Sequence, residues 1–190
     1  TGLSVAVLYR TGLFNLSMEG GFFLGAVAAT ASAVLLPLPP GINLAAACLA
    51  GALAGGIVSL IPGLLKVKCG ANELVTSLML NYMLFYFGMY VIIHHLHDPA
   101  MNANYSFAFP ENMLLSRIIS GTRINTGILA AIAVTVIVYL LVNRTAFGYK
   151  MTLIGKNIRT AEYSGIKTGG IIVVFQLLGG MFAGFGGSCE

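Results

Sequence analysis

The sequence predicts an all-α protein: a polytopic bundle of about five to six membrane-crossing helices that makes residues 1–190 one domain. Three observations predict it. The chain is 57% hydrophobic and only 8% charged, with a mean hydropathy of +0.90, whereas soluble domains carry about 25% charged residues. Long apolar runs with few charges recur along it, and runs of ~18 or more such residues read as membrane helices. Its 24 glycines suit a bundle in lipid, where small residues let helix backbones approach closely.

The elements follow in order. Residues 1–9 read as the tail of an earlier span. The first full span is expected over 12–36 and stops at Pro37-Leu-Pro-Pro-Gly41, because proline removes backbone donors and restricts the residue before it. The second is expected over 42–65, the third over 74–93 and the fourth over 126–142. A fifth starts near Gly170 and runs into the end of the chain, which begins without methionine and reads as a fragment. Glycines paired at Gly21/Gly25, Gly51/Gly55 and Gly180/Gly184 each put two small residues on one helix face.

Orientation follows from lysine and arginine in the short loops. The loop 143–169 holds Arg144, Lys150, Lys156, Arg159 and Lys167 against Glu162 alone, and is expected in the cytoplasm. Counting back puts 94–125 outside, where Arg117 and Arg123 balance Asp98 and Glu111. Lys66, Lys68 and Arg10 then fall inside. The +4 net charge clusters in one loop rather than along a face, so no nucleic-acid partner is expected. Cys48, Cys69 and Cys189 form no metal spacing and read as small packing residues.

The most informative residue is Glu19, an acid inside an apolar run. A carboxylate at bilayer depth costs roughly 2.5–3.5 kcal/mol on insertion scales, and such residues face bundle interiors, wet cavities or substrate paths. Glu19 could line a path, pair with Asn15 or Ser17, or sit at the surface if the helix begins near Gly20. On a continuous helix Asn15 and Glu19, four apart, share a face; a helix broken near Gly20-Gly21 would instead expose backbone at depth, as transporter sites do. Asn72 reads as a helix cap, with Glu73 favoured by the dipole of the first turn. Ser77 and Asn81, four apart inside a span, can bond another helix or a passing solute.

His94-His95-x-His97 has no second ligand cluster, so no metal is expected. Gly155-Lys156-Asn157 lacks the spacing of a phosphate loop, and no catalytic motif is present. No cofactor or enzymatic activity is therefore expected. Within the basic loop, Asn157 reads as the cap of a short helix through Ala161, Glu162 and Tyr163 that ends at Gly165. Ala161 is small enough to let that helix approach a partner closely. The helix could be a connector or a docking element.

Three stretches in order carry a resemblance: Phe14-Asn-Leu-Ser-Met-Glu19-Gly; Ala71-Asn-Glu73-Leu-Val-Thr-Ser-Leu-Met-Leu-Asn81-Tyr; and Phe147-Gly-Tyr with Gly155-Lys-Asn157 and Ala161-Glu-Tyr-Ser-Gly165-Ile. The chain resembles bacterial ABC-importer permeases of the branched-chain amino acid/ribose type, most closely the nucleoside and simple-sugar members. Nucleoside-type members usually carry Gln where this chain has Gly21. The resemblance implies a multi-pass protein of the bacterial inner membrane that passes a small polar solute. It also implies, as partners, a separate ATP-binding-cassette ATPase, a second permease subunit, an extracytoplasmic solute-binding protein and the surrounding lipid bilayer. It makes Phe14, Asn15 and Glu19 expected pathway residues, which Ser77 and Asn81 join by their polar character inside a span, and makes Gly155, Asn157, Ala161, Glu162 and Gly165 the expected ATPase-coupling residues in the loop 143–169. The alternative is a membrane structural or assembly subunit without transport activity, in which that loop is a mere connector.

Overall fold

The computed structural model describes residues 1–35, 39–95 and 127–189. Its helices are α1 (Gly2–Tyr9), α2 (Met18–Leu35), α3 (Pro40–Cys69), α4 (Glu73–His95), α5 (Gly127–Arg144), α6 (Ala146–Lys156), α7 (Ile158–Tyr163) and α8 (Thr168–Ser188). Among the described residues, α2, α3, α4, α5 and α8 are long and apolar enough to cross a membrane. The expected all-α multi-span bundle is therefore what the chain forms. The expected outer loop 94–125, its balancing charges and His97 lie largely outside the described residues, as does the start of the Pro37 stop.

Two boundaries differ from expectation in ways that matter. The first span begins at Met18, not at residue 12, and Leu13–Leu16 carry no regular structure. The loop 143–169 contains a second helix, α6, besides the short helix expected after Asn157. Its start is set by Thr145, whose hydroxyl accepts from the Gly148 amide, satisfying one of the donors that a helix N-terminus leaves over. Its inner face is Phe147, Met151 and Ile154, spaced four and three apart, and Met151 and Ile154 are buried.

The centre of the bundle is where α2, α3 and α8 cross. Gly25, Gly51, Gly55, Gly180 and Gly184 meet there backbone to backbone. A β-carbon on Gly184 would collide with the Gly51 carbonyl, and one on Gly55 with the Gly180 carbonyl. The paired glycines in the sequence are thus the crossing itself. Around it pack α4 on α2, α1 on α8, and α5 through α6. A cluster of Val7, Leu8, Met18, Val138, Met151, Phe175 and Ala183 ties α1, α5 and α6 to the core, with Phe147 stacked on Phe175 at a ring separation of 4.7 Å. The outer faces of α4 and α5 are apolar and exposed, including Met79, Tyr82, Met83 and Tyr86 on α4 and Leu129, Ile132 and Ile137 on α5.

Candidate pathway site

The break between α1 and α2 builds the site. Thr11 closes α1 with its hydroxyl on the Leu8 carbonyl at 2.6 Å. Gly12 then turns the chain at φ 69°, a left-handed conformation that costs glycine nothing and other residues energy. The turn also presses Gly12 on the backbone of Gly155, and a β-carbon on Gly155 would collide with the Arg10 carbonyl. From there the chain runs irregularly inward through the protein.

Its course can be followed along α8. Leu13 packs in a cluster with Ile172. Asn15 bonds Gln176. The Ser4 hydroxyl contacts both Met18 Sδ and the Gly179 carbonyl. From residue 172 to 179 an α-helix advances about 10 Å at 1.5 Å per residue. The five steps from Leu13 to Met18 cover that at about 2 Å per residue, more than the 1.5 Å that a continuous α-helix would give. Non-helical backbone at membrane depth is tolerated only where protein or a wet cavity satisfies it. Here the Leu16 amide donates to Ser77 Oγ at 3.1 Å, and the Ser17 amide donates to Asn15 Oδ1 at 2.8 Å.

A buried polar chain holds the segment. Ser17 Oγ donates to Asn15 Oδ1 at 2.6 Å, and Asn15 Nδ2 donates to Gln176 Oε1. Gln176 Nε2 donates to Glu73 Oε1, whose other oxygen accepts from Lys66 Nζ at 2.9 Å. Gln176 is fully buried and Glu73 is 4% exposed, while the Lys66 side chain is one-third exposed. Five side chains from four parts of the chain are thus joined in one line that ends at an ion pair.

Two cavities flank the segment. One, of about 520 Å³, has Tyr9, Phe14, Asn15, Glu19 and Phe22 in its wall. The other, of about 450 Å³, is bordered by Phe14, Lys66, Asn72 and Glu73. Phe14 borders both and stands between them, its ring edge-on to Tyr9 at 6.2 Å.

The expected pathway residues are gathered around this break, with one correction. Asn15 and Glu19 do not share a helix face, because Asn15 lies in the irregular segment and α2 starts three residues later. Asn15 is buried, and its polar atoms serve Ser17 and Gln176; Glu19 is exposed in the first turn of α2 and borders the larger cavity. A carboxylate there is favoured by the helix N-terminus. It can accept hydrogen bonds from hydroxyl or N–H donors of a solute beside aromatic walls. Ser77 bonds the irregular segment, and Asn81 is half-buried with its amide oxygen over Gly20. Asn72 caps α4, accepting from the Leu74 amide at 3.1 Å, and Glu73 lies in that first turn. Glu73 does more than complement the dipole, since it anchors the polar chain.

In the loop, Asn157 caps α7 by accepting from the Arg159 and Thr160 amides at 3.0 and 3.3 Å. Gly165, at φ 77°, follows its end. Glu162 is exposed and accepts from the Thr168 hydroxyl at 3.1 Å. Ala161 faces inward: it is fully buried with Leu13, Ile154 and Ile172. Its small size therefore serves packing within the chain rather than approach to a partner, and the outward face of α7 is Arg159, Thr160, Glu162 and Tyr163. Gln176 was missed in the sequence, although it is the one amide in the apolar run 171–185.

Comparison with known proteins agrees with this architecture. The family model described as branched-chain amino acid transport system / permease component matches residues 1–190. The guanosine ABC transporter permease protein NupP of Bacillus subtilis is 31% identical, over all of this chain and 55% of its own length. The nucleoside ABC transporter permease protein NupB of Lactococcus lactis is 27% identical, over 98% of this chain and 54% of its own. The glucose ABC transporter permease protein TsgB13 of Haloferax volcanii is 31% identical, over all of this chain and 52% of its own. The chain thus spans about half the length of the curated relatives it matches. No solved structure matches it.

Proposed function

The chain belongs to the branched-chain amino acid transport system / permease component family, and on that premise we propose that it forms part of the solute pathway of an ATP-driven importer. The solute is a nucleoside or simple sugar. It passes the larger cavity, where Glu19 accepts its donors and Tyr9, Phe14 and Phe22 offer ring faces. A separate ATP-binding-cassette ATPase engages the loop 143–169, a second permease subunit completes the pathway, and an extracytoplasmic binding protein delivers the solute. The complex sits in the bacterial inner membrane with the basic loop in the cytoplasm.

The observation that carries this reading is the irregular segment Leu13–Ser17. A helix interrupted at depth, beside a cavity with an acid at the next helix start, is how transporters expose polar groups to a solute. The test is uptake by the complete permease, reconstituted with its ATPase and binding protein, against a panel of labelled nucleosides and sugars. ATP-dependent uptake of one class is expected. Glu19→Gln is expected to insert normally and to lower uptake about tenfold, the equivalent of about 1.4 kcal/mol and in the range of a weakened charged hydrogen bond. An assembled complex that takes up neither class would leave the structural-subunit reading.

A further inference from the structure

We propose that Gln176 is a positioning residue for transport: its side-chain amide locks the Leu13–Ser17 segment to α8, so that displacement of α7 is delivered to Phe14. The proposal rests on the importer reading.

The path is continuous. Thr168, Ile172 and Gln176 are spaced four apart and lie on one stripe of α8. Thr168 is bonded to Glu162 of α7. Ile172, one turn on, packs with Ala161 of α7 and Leu13 of the segment. Gln176, the next turn, holds Asn15. Gly155, at the end of α6, presses on the backbone of Arg10–Gly12 at the segment's start. The loop that would meet an ATPase is thus in direct contact with the segment that carries Phe14, and Phe14 stands between the two cavities.

Gln176 is the fixed point of that path because both ends of its amide are committed. Its oxygen accepts from Asn15 and its NH₂ donates to Glu73. Asn15 is committed too, since its own oxygen accepts from the Ser17 amide and hydroxyl. Reversing either amide would set donor against donor or acceptor against acceptor. Apolar contacts such as Leu13 on Ile172 are non-directional; hydrogen bonds fix direction. Gln176 therefore moves the segment with α8 rather than letting it slide.

The test measures solute imported per ATP hydrolysed in the complete permease–ATPase–binding protein complex. Gln176→Leu keeps the size but removes both bonds. Hydrolysis is expected to persist while the import ratio falls about tenfold, the size of effect that 1.4 kcal/mol of lost coupling gives. Asn15→Leu should lower the ratio as much, and the double variant no further, because both break one bridge. A purely structural role would lower yield or thermal stability and leave the ratio of the surviving complex at the parent value, and additive losses would speak the same way; either result overturns the proposal.

Gln176→Glu gives a second arm if the leucine variant does not assemble. The titratable groups around this position among the described residues are Glu73 from α4 and, through it, Lys66 from α3. The introduced carboxyl repels Glu73 when both are ionised, and bonds it when they share a proton. Its import ratio should rise as pH falls, against a flatter parent profile; parallel profiles overturn the proposal. A parent complex that imports alongside a Gln176→Leu variant of equal ratio overturns this proposal alone. A parent complex that does not import overturns the importer reading, and this proposal with it.

Discussion

The glycine crossing and the irregular segment both rest on α8, through opposite means. At the crossing, glycines of α3 and α8 meet Gly25 of α2 with backbone against backbone. About one to two turns nearer the start of α8, Gln176 holds an irregular stretch of chain through side-chain hydrogen bonds that run on to Glu73 of α4 and Lys66 of α3. The first contact has no adjustable part. A packed crossing of this kind has one arrangement, because interiors are close-packed and do not deform continuously. The second is made of directional polar links, which a compensating polar substitution can restore. One bundle thus contains a steric pivot and a polar clamp about one to two helical turns apart along α8.

The largest expected effect comes from breaking the pivot. Gly184 of α8 faces the carbonyl of Gly51 and the α-carbon of Gly55, so any side chain there drives two backbones apart. Gly184→Val is expected to cost ~3 kcal/mol or more, at or above the upper end for overpacking. Permease recovered from membranes as a protease-resistant, monodisperse species should fall to near zero. Normal recovery would mean that the crossing tolerates substitution as well as the clamp does.

A smaller effect is expected from breaking the clamp at its ion pair. Lys66→Met leaves Glu73 buried without its cation. Removing one partner of a buried pair costs about 3–5 kcal/mol, but the Lys66 side chain is one-third exposed, so ~1–3 kcal/mol is the expected loss. Adding Glu73→Gln should recover most of it, since a neutral amide can still accept from Gln176 without an uncompensated charge. Thermal unfolding of the purified permease measures both. A polar clamp can be mended by a second polar change, whereas the pivot cannot; a double variant no better than Lys66→Met would remove that distinction.

The pivot was legible in the sequence and the clamp was not, for a physical reason. Glycine pairs at i and i+4 report their own geometry, because the helical period puts both on one face. Long apolar runs report spans in the same way. The Asn157 cap and the Gly165 stop were legible because capping is local. The clamp is assembled from residues distant in the chain, and Leu13 and Leu16 prolong the apolar run, so the segment looked like helix. Gly20-Gly21 hinted at a break, but α2 runs through both; Gly12 before Asn15 and Ser17 marks the actual one, through a left-handed turn followed by side chains that bond nearby amides. Gln176 carried the same signal as Glu19, a polar group alone in an apolar span, in a weaker, uncharged form. The facing of Ala161 is not legible, because small size fits a partner groove and a packed interior equally well. Helix α6 was hidden by a basic, turn-rich loop whose apolar residues are spaced four and three apart over a single short stretch.

The smallest expected effect separates the close part of the pivot from its margin. Gly21 belongs to the same set of spaced glycines as Gly25, yet a β-carbon on it would lie 3.7 Å from the Gly55 α-carbon. That is ordinary van der Waals contact. Replacing glycine by alanine inside a helix gains up to about 1 kcal/mol, because alanine loses less backbone entropy on folding. Gly21→Ala is therefore expected to be neutral or to stabilise by less than ~1 kcal/mol, seen as an unchanged or slightly raised unfolding temperature of the purified permease. Gly25→Ala, one turn along the same helix, should lower it sharply, since its β-carbon would run into the backbone of Gly184. Equal losses at both positions would mean that α2 joins α3 as tightly as it joins α8. The pivot would then extend one turn toward Met18, where the irregular segment that the clamp holds joins α2.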